Sequence, residues 1–96
     1  MVSTTPTITH EPENNRFVIT IDGKTAGFAA YDPQPGNRDF NHTVIKENFR
    51  GQGLSSPLIK AALDDTRAEG LTITPTCSAV EHFVNKHAEY QDLVAG

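Results

Sequence analysis

Between Arg16 and Ile21 the chain alternates, with Phe17, Ile19 and Ile21 to one side and Val18 and Thr20 to the other. A period of two predicts a half-buried strand. Asp22-Gly23 follows, the residue pair of a two-residue hairpin. It returns the chain through Lys24 to Tyr31, where Ala26, Phe28 and Ala30 alternate with Thr25, Gly27 and Ala29. Thr7 to Glu11 predicts a short strand ahead of this hairpin, and residues 1–6 a flexible tail. Asp32-Pro33-Gln34-Pro35-Gly36-Asn37 reads as a loop by composition. A fourth strand is expected over Arg38 to Ile45.

Past Ile45 the period changes. Leu54, Leu58, Ala61, Ala62 and Leu63 share one face of a helix running from about Leu54 to Glu69. Pro57 is tolerated because it falls in the first turn, where an N–H would have no intrahelical acceptor. Gly70 fits the stop, with Arg67 in the last turn. Leu71 to Thr76 predicts a fifth strand, parallel to the fourth because a helix crosses over between them. Pro75 cannot donate to a ladder, so pairing should fail near the end of that strand. A second helix, about Ala79 to His87, and a short segment from Glu89 to Val94 complete the pattern. The fold class is α/β: a mixed, mostly antiparallel sheet with one parallel pair and two main helices.

Ninety-six residues hold one domain, expected over residues 7–96, since a chain this short buries only about 60 to 65% of its unfolded surface. The net charge of −4 argues against nucleic acid or an anionic membrane as partner. Charge is nevertheless uneven. From Lys46 to Lys60 three bases face one acid, a net +2, which leaves −6 for the remainder. Cys77 is the sole cysteine, so no intrachain disulfide is possible. Residues 1–10 lack both a basic start and an apolar run, and no segment approaches a membrane span. A cytoplasmic protein is expected, with monomer as the default state. No His, Cys or acid spacing suggests a metal.

The positive window contains Phe49-Arg50-Gly51-Gln52-Gly53-Leu54-Ser55, a glycine-bearing turn joining a strand to a helix. Such a turn lets backbone approach an anion and aims unpaired N–H groups at it. A P-loop would need Gly-x-x-x-x-Gly-Lys with Ser or Thr, and no such lysine is present. A dinucleotide fingerprint would need a third glycine where Ser56 stands and an acid about 20 residues on, and residues 71–80 contain none. A third pattern remains, Arg/Gln-x-x-Gly-x-Gly/Ala, which Arg50 to Ser55 matches with serine in place of the final small residue.

That pattern is the pyrophosphate loop of the Gcn5-related N-acetyltransferases (GNAT), and over residues 8–95 the chain resembles the small YjdJ-type branch of that family. The resemblance is carried by Asp22-Gly23, His42-Thr43 with Ile45 in the place of the family's valine, Phe49 to Leu54, Pro75-Thr76-Cys77, and His87-Ala88-Glu89-Tyr90 with Asp92-Leu93. It implies a GNAT-like fold and transfer of acetyl from acetyl-CoA to a primary amine, on a small molecule, a protein lysine or an N-terminus. It also implies that Arg50, Gly51, Gln52, Gly53, Leu54 and Ser55 bind the pyrophosphate and that backbone at Val44 and Ile45 pairs with the pantetheine and thioester. Asn85 takes the place of a coenzyme-contacting asparagine of larger members, and Tyr90 reads as a packing residue.

Cys77 and His42 are the catalytic candidates, both expected to face the cleft. Cys77 has three roles open to it: nucleophile, proton donor to the departing thiolate, or small buried hydrophobe. His42 is of the side-chain type best suited to taking a proton from an ammonium nucleophile, beside the plainer reading of a structural histidine. A non-catalytic module that binds acetyl-CoA or docks on a partner is the competing function.

Overall fold

In the computed structural model, which describes residues 6–95, the expected strands form one sheet in the order β1-β2-β3-β4-β5. They are β1 Thr7–Glu11, β2 Arg16–Ile21, β3 Lys24–Gln34, β4 Asn37–Ile45 and β5 Thr72–Thr74, with helices α1 Ser55–Ala68 and α2 Ser78–Lys86. Three pairings are antiparallel and β4–β5 is parallel. Of the tail expected over residues 1–6, all but Pro6 lies outside the described residues. No helix among the described residues is long and apolar enough to cross a membrane.

Asp22 (φ 52) and Gly23 (φ 78) both adopt positive φ, the requirement of a type I′ turn whose twist suits the flanking strands. The loop expected over residues 32–37 is instead hairpin. Asp32, Pro33 and Gln34 pair with Asp39, Arg38 and Asn37, which leaves only Pro35 and Gly36 to turn the chain. The prolines misled by composition. The Tyr31 N–H bonds Asn15 O at 2.9 Å, so alternation turns the Pro33 nitrogen to the same side, where β2 has already ended. Its missing donor costs no ladder bond.

β5 is shorter than expected at both ends. Leu71 belongs to the stop of α1: its N–H bonds Thr66 O at 3.1 Å and Gly70 N–H bonds Arg67 O at 3.0 Å, a Schellman ending around Gly70 at φ 73. The other end stops at Thr74, just before Pro75. After α2 a 3₁₀ segment, Ala88–Leu93, leads Val94 and Ala95 to the outer edge of β5, where Ala95 N–H bonds Ile73 O at 2.9 Å.

Both helices cover one sheet face. Phe17, Ile19, Ala29, Tyr31 and Phe40 form a single buried cluster with Leu58, Leu63, Val80, Phe83 and Val84. Leu58 and Leu63 are fully buried, and truncating either to alanine costs about 2 to 5 kcal/mol. The reverse face carries Val18, directly opposite Phe28, which lies opposite Val44.

One irregularity in β4 decides which side chains face which way. Tyr31 pairs with Phe40 but Ala30 with His42, so Asn41 is an extra residue, a β-bulge. Before it Phe40 points into the helix-covered core. After it Thr43, opposite the buried Ala29, takes that side, and His42 turns to the reverse face, its ring 5.8 Å from that of Phe28.

Arg38 is buried under α1. Its Nη1 donates to Asp65 Oδ2 at 2.9 Å and Thr66 Oγ1 at 3.0 Å, and the Tyr31 and Phe17 rings lie 5.0 and 5.7 Å from the guanidinium. His10 stacks on Phe17 at 4.1 Å and bonds the Tyr31 hydroxyl through Nε2 at 2.7 Å. This network pins the C-terminal half of α1 to β1, β3 and β4. The other end of the helix is thereby set beside the end of β4.

Candidate functional site

The parallel pairing runs from Asn37–Thr72 to Asp39–Thr74. One further bond, Cys77 N–H to Phe40 O at 2.8 Å, ties the strands before they part. β4 continues to Ile45 with no strand among the described residues on that side. Lys46 N–H bonds Ala26 O of β3 at 2.7 Å, whereas Ile45 O accepts from Arg50 Nε at 3.1 Å. Alternation along the strand therefore turns the backbone of Thr43 and Ile45 to the open edge and that of Val44 into the β3 ladder. Of the two positions expected to meet the coenzyme arm, the structure offers the Ile45 backbone; the other exposed backbone is that of Thr43.

Beyond Ile45 a 3₁₀ turn, Glu47–Phe49, carries the chain into the loop. Gly51 (φ 84) and Gly53 (φ 69) are both left-handed, a conformation that glycine takes without strain. Phe49 and Arg50 N–H bond Lys46 O and Glu47 O, and the first N–H bonded by α1 is that of Leu58, to Leu54 O at 3.2 Å. Between them the N–H groups of residues 51–56 have no backbone acceptor among the described residues, and Pro57 has none to offer. Six consecutive unpaired donors at a helix start are what an anion nest requires. Ile45, Phe49, Arg50, Gly51, Gly53, Leu54 and Ser55 line a cleft of about 280 Å³ there. Arg50, held against the Ile45 carbonyl, adds a full positive charge at its mouth.

Cys77 sits at the N-cap of α2 with Sγ 3.5 Å from Thr43 Oγ1, half-buried against the core. Burial alone pushes the thiol pKa up. The Thr43 hydroxyl and the first-turn amides of Val80 and Ala79 outweigh it, and the net shift is downward, although neither amide closes a regular cap bond to the sulfur. His42 is exposed on the opposite face of the sheet. The structure does not bring the two catalytic candidates together: the bulge at Asn41 separates them by the thickness of β4.

Asn85 is exposed on α2 and lines neither this cleft nor the groove between α1 and α2. Tyr90 is buried, its hydroxyl donating to Asp64 Oδ1 at 2.7 Å, which fits the packing role. Thr43 escaped the sequence reading because its contact with Cys77 depends on the bulge. The groove, lined by Ser55, Ser56, Ile59, Ala79, His82, Phe83, Lys86 and His87, also went unread. Its traces in the sequence include the i, i+4 spacings of His82 with Lys86 and of Phe83 with His87.

Comparison with known proteins bears on the whole of this arrangement. A model of the GCN5-related N-acetyltransferase family matches residues 16–93. Protein NATD1 of Danio rerio is 28% identical over 97 residues, spanning 97% of this chain and 88% of the relative. NATD1 of Bos taurus is 28% identical over 82 residues, 83% of this chain and 73% of its own. Among solved structures, a GCN5-like protein of Staphylococcus aureus superposes with a TM-score of 0.71 at 26% identity, over 94% of this chain and 88% of its own. Ard1 of Thermoplasma volcanium shares the fold, with a TM-score of 0.60 at 20% identity over 76% of this chain and 54% of its own.

Proposed function

This chain belongs to the GCN5-related N-acetyltransferase family, and we propose that it transfers the acetyl group of acetyl-CoA to a primary amine. The observation that carries the reading is the run of six unpaired N–H groups at residues 51–56, adjoining the open edge of β4. Pyrophosphate fits the nest, with Arg50 supplying charge. From there the pantetheine arm runs to the edge at Ile45 and Thr43, whose N–H groups are free to bond it and the thioester carbonyl.

Attack of the amine nitrogen on that carbonyl carbon pushes charge onto the carbonyl oxygen. Donors aimed at such an oxyanion are worth about 2.7 to 4 kcal/mol each. Collapse breaks the carbon–sulfur bond, forms the amide and releases the coenzyme thiolate, which takes up a proton. His42, exposed on the reverse face, accepts the proton of an amine arriving there. Cys77, on the helix side, is placed to protonate the thiolate or to carry the acetyl group itself.

Thermal unfolding with and without acetyl-CoA tests the reading, with Gly53→Glu as the variant that blocks the nest. Ligand at about 100 times its Kd adds about 2.7 kcal/mol, a rise in Tm on the order of 10 to 20 °C for a domain of this size. The variant should lose it. No shift at millimolar acetyl-CoA would remove the coenzyme from the reading and leave a partner-docking module. A shift without acetylation of any amine in a broad screen would leave a coenzyme-binding module.

A further inference from the structure

The sheet face that no helix among the described residues covers carries two rows of side chains across β2, β3 and β4. One row is Val18, Phe28 and Val44; the next is Arg16, Ala30 and His42. Ala30 is the small member of its row. Neighbouring strands lie about 4.8 Å apart, so Arg16 and His42 start roughly 10 Å from each other with only the Ala30 methyl on the floor between them. Phe28 is the side wall: the Arg16 guanidinium lies 5.7 Å from its ring centroid and the His42 ring 5.8 Å. Arg16 is steadied by Glu11, whose Oε1 accepts from Nε at 2.8 Å. The seat over Ala30 is thus apolar beneath and along one side, with a base at one end and a guanidinium at the other.

We infer that this seat holds the body of the acceptor, and that the acceptor is an arylalkylamine, an aromatic ring joined to its primary amine by a short alkyl arm. The inference rests on the transferase reading above. Its reach follows from the sheet. A ring over Ala30 lies one strand spacing, about 4.8 Å, from β4, and a short arm carries the nitrogen past His42 to the open edge at Ile45 and Thr43. There the nitrogen forms the amide bond as the carbon–sulfur bond breaks, and its proton passes to His42. The preference for a ring follows from the walls: Phe28 offers an edge-to-face contact, and a guanidinium stacks on aromatic faces. A diamine is disfavoured on the same ground, because its second ammonium meets Arg16. Asp32 and Asp39, paired one row further along the same face, are the feature that favours a diamine, but Asp39 Oδ1 already accepts from the Thr76 hydroxyl at 2.6 Å.

Release of coenzyme thiol from acetyl-CoA, followed with 2-phenylethylamine, ethanolamine and 1,4-diaminobutane as acceptors, tests this on the full chain. Wild type should show a kcat/KM for 2-phenylethylamine about three- to tenfold above those for the other two, the weight of one aromatic contact. Ala30→Leu fills the seat and should bring the three amines level, while the rise in Tm on adding acetyl-CoA is kept. Phe28→Ala removes the wall and should level them from the other side. Equal kcat/KM for the three amines with wild type, a preference for the diamine, or retention of the preference by either folded variant overturns the aromatic seat and leaves the transferase reading intact. Turnover of other amines but of none of these does the same. Turnover of no amine overturns both.

Discussion

Gly27→Ala tests how closely β3 and β4 approach beside the cleft. Gly27 lies opposite Ile45, is buried and has no positive φ, so alanine meets no backbone strain there. The objection is spatial. A Cβ would overlap the Val44 carbonyl oxygen and stand 2.8 Å from Ile45 Cδ1 and 3.1 Å from Ile45 Cα, where ordinary contact begins at about 3.5 Å. The Ile45 methyl can swing aside; the Val44 carbonyl and Ile45 Cα are strand backbone and move only with β4. Overpacking costs about 1 to 3 kcal/mol, and with backbone in the way the upper part of that range applies. Gly53→Ala is the contrast, because no atom of the described residues lies within 4 Å of its Cβ and only the left-handed φ objects, at about 1 to 2 kcal/mol. Loss of unfolded-state freedom offsets about 0.4 to 1 kcal/mol of that. Urea unfolding followed by circular dichroism should therefore rank Gly27→Ala below Gly53→Ala, and both below wild type. Binding of acetyl-CoA should weaken in Gly27→Ala as well, since the displaced segment carries the open edge at Ile45. A Gly27→Ala protein with the midpoint of wild type, or one more stable than Gly53→Ala, would refute the tight approach.

Cys77 should alkylate with a pH midpoint below that of an ordinary thiol, and Thr43→Val should move the midpoint up; identical midpoints in the two proteins would discard Thr43 as the thiolate's partner. Because the folded-state pKa is lowered, the linked stabilisation is complete only above the unfolded thiol value of about 8.5 and is lost as pH falls through the folded value. Tyr90→Phe removes the hydroxyl bond to Asp64 and should cost about 1 kcal/mol, read as a fall in Tm of roughly 4 to 8 °C. Acetyl transfer by that variant should be unchanged, and its loss would show that Tyr90 does more than pack.

Strand and helix order was legible because each element obeys its own period and is punctuated by residues with a local mechanism: Asp22-Gly23 for the turn, Gly70 for the helix stop, Pro75 for the end of β5. The loop of unpaired donors was legible for the same reason, since its glycines and the helix start are consecutive in the chain. Facing was not. Alternation through Phe40, His42 and Val44 assigns all three to one side, and nothing in those residues announces that Asn41 is left unpaired against β3. The bulge arises from the fit of β4 against a neighbouring strand, so it belongs to pairing rather than to local preference. The extension of β3 through Pro33 was hidden likewise, because whether a proline breaks a strand depends on which neighbour its nitrogen faces.

On the function proposed above, the bulge also constrains how acetyl transfer would proceed. A thioester lying along the open edge of β4 has Cys77 on the side covered by α1 and α2, where the sulfur packs against the core. It has His42 on the side that no helix among the described residues covers. The two cannot act on one proton, so they serve different steps. An acetyl group moved to Cys77 would sit under the helices, and an amine would have to reach it through the cleft that the departing coenzyme fills. An amine approaching from the His42 face meets the thioester with the coenzyme still in place and with a base beside it. Direct attack needs no rearrangement of the sheet, whereas the covalent route requires release of the coenzyme before the acceptor can enter. We therefore propose His42 as the residue facing the acceptor, with Cys77 serving the leaving thiolate.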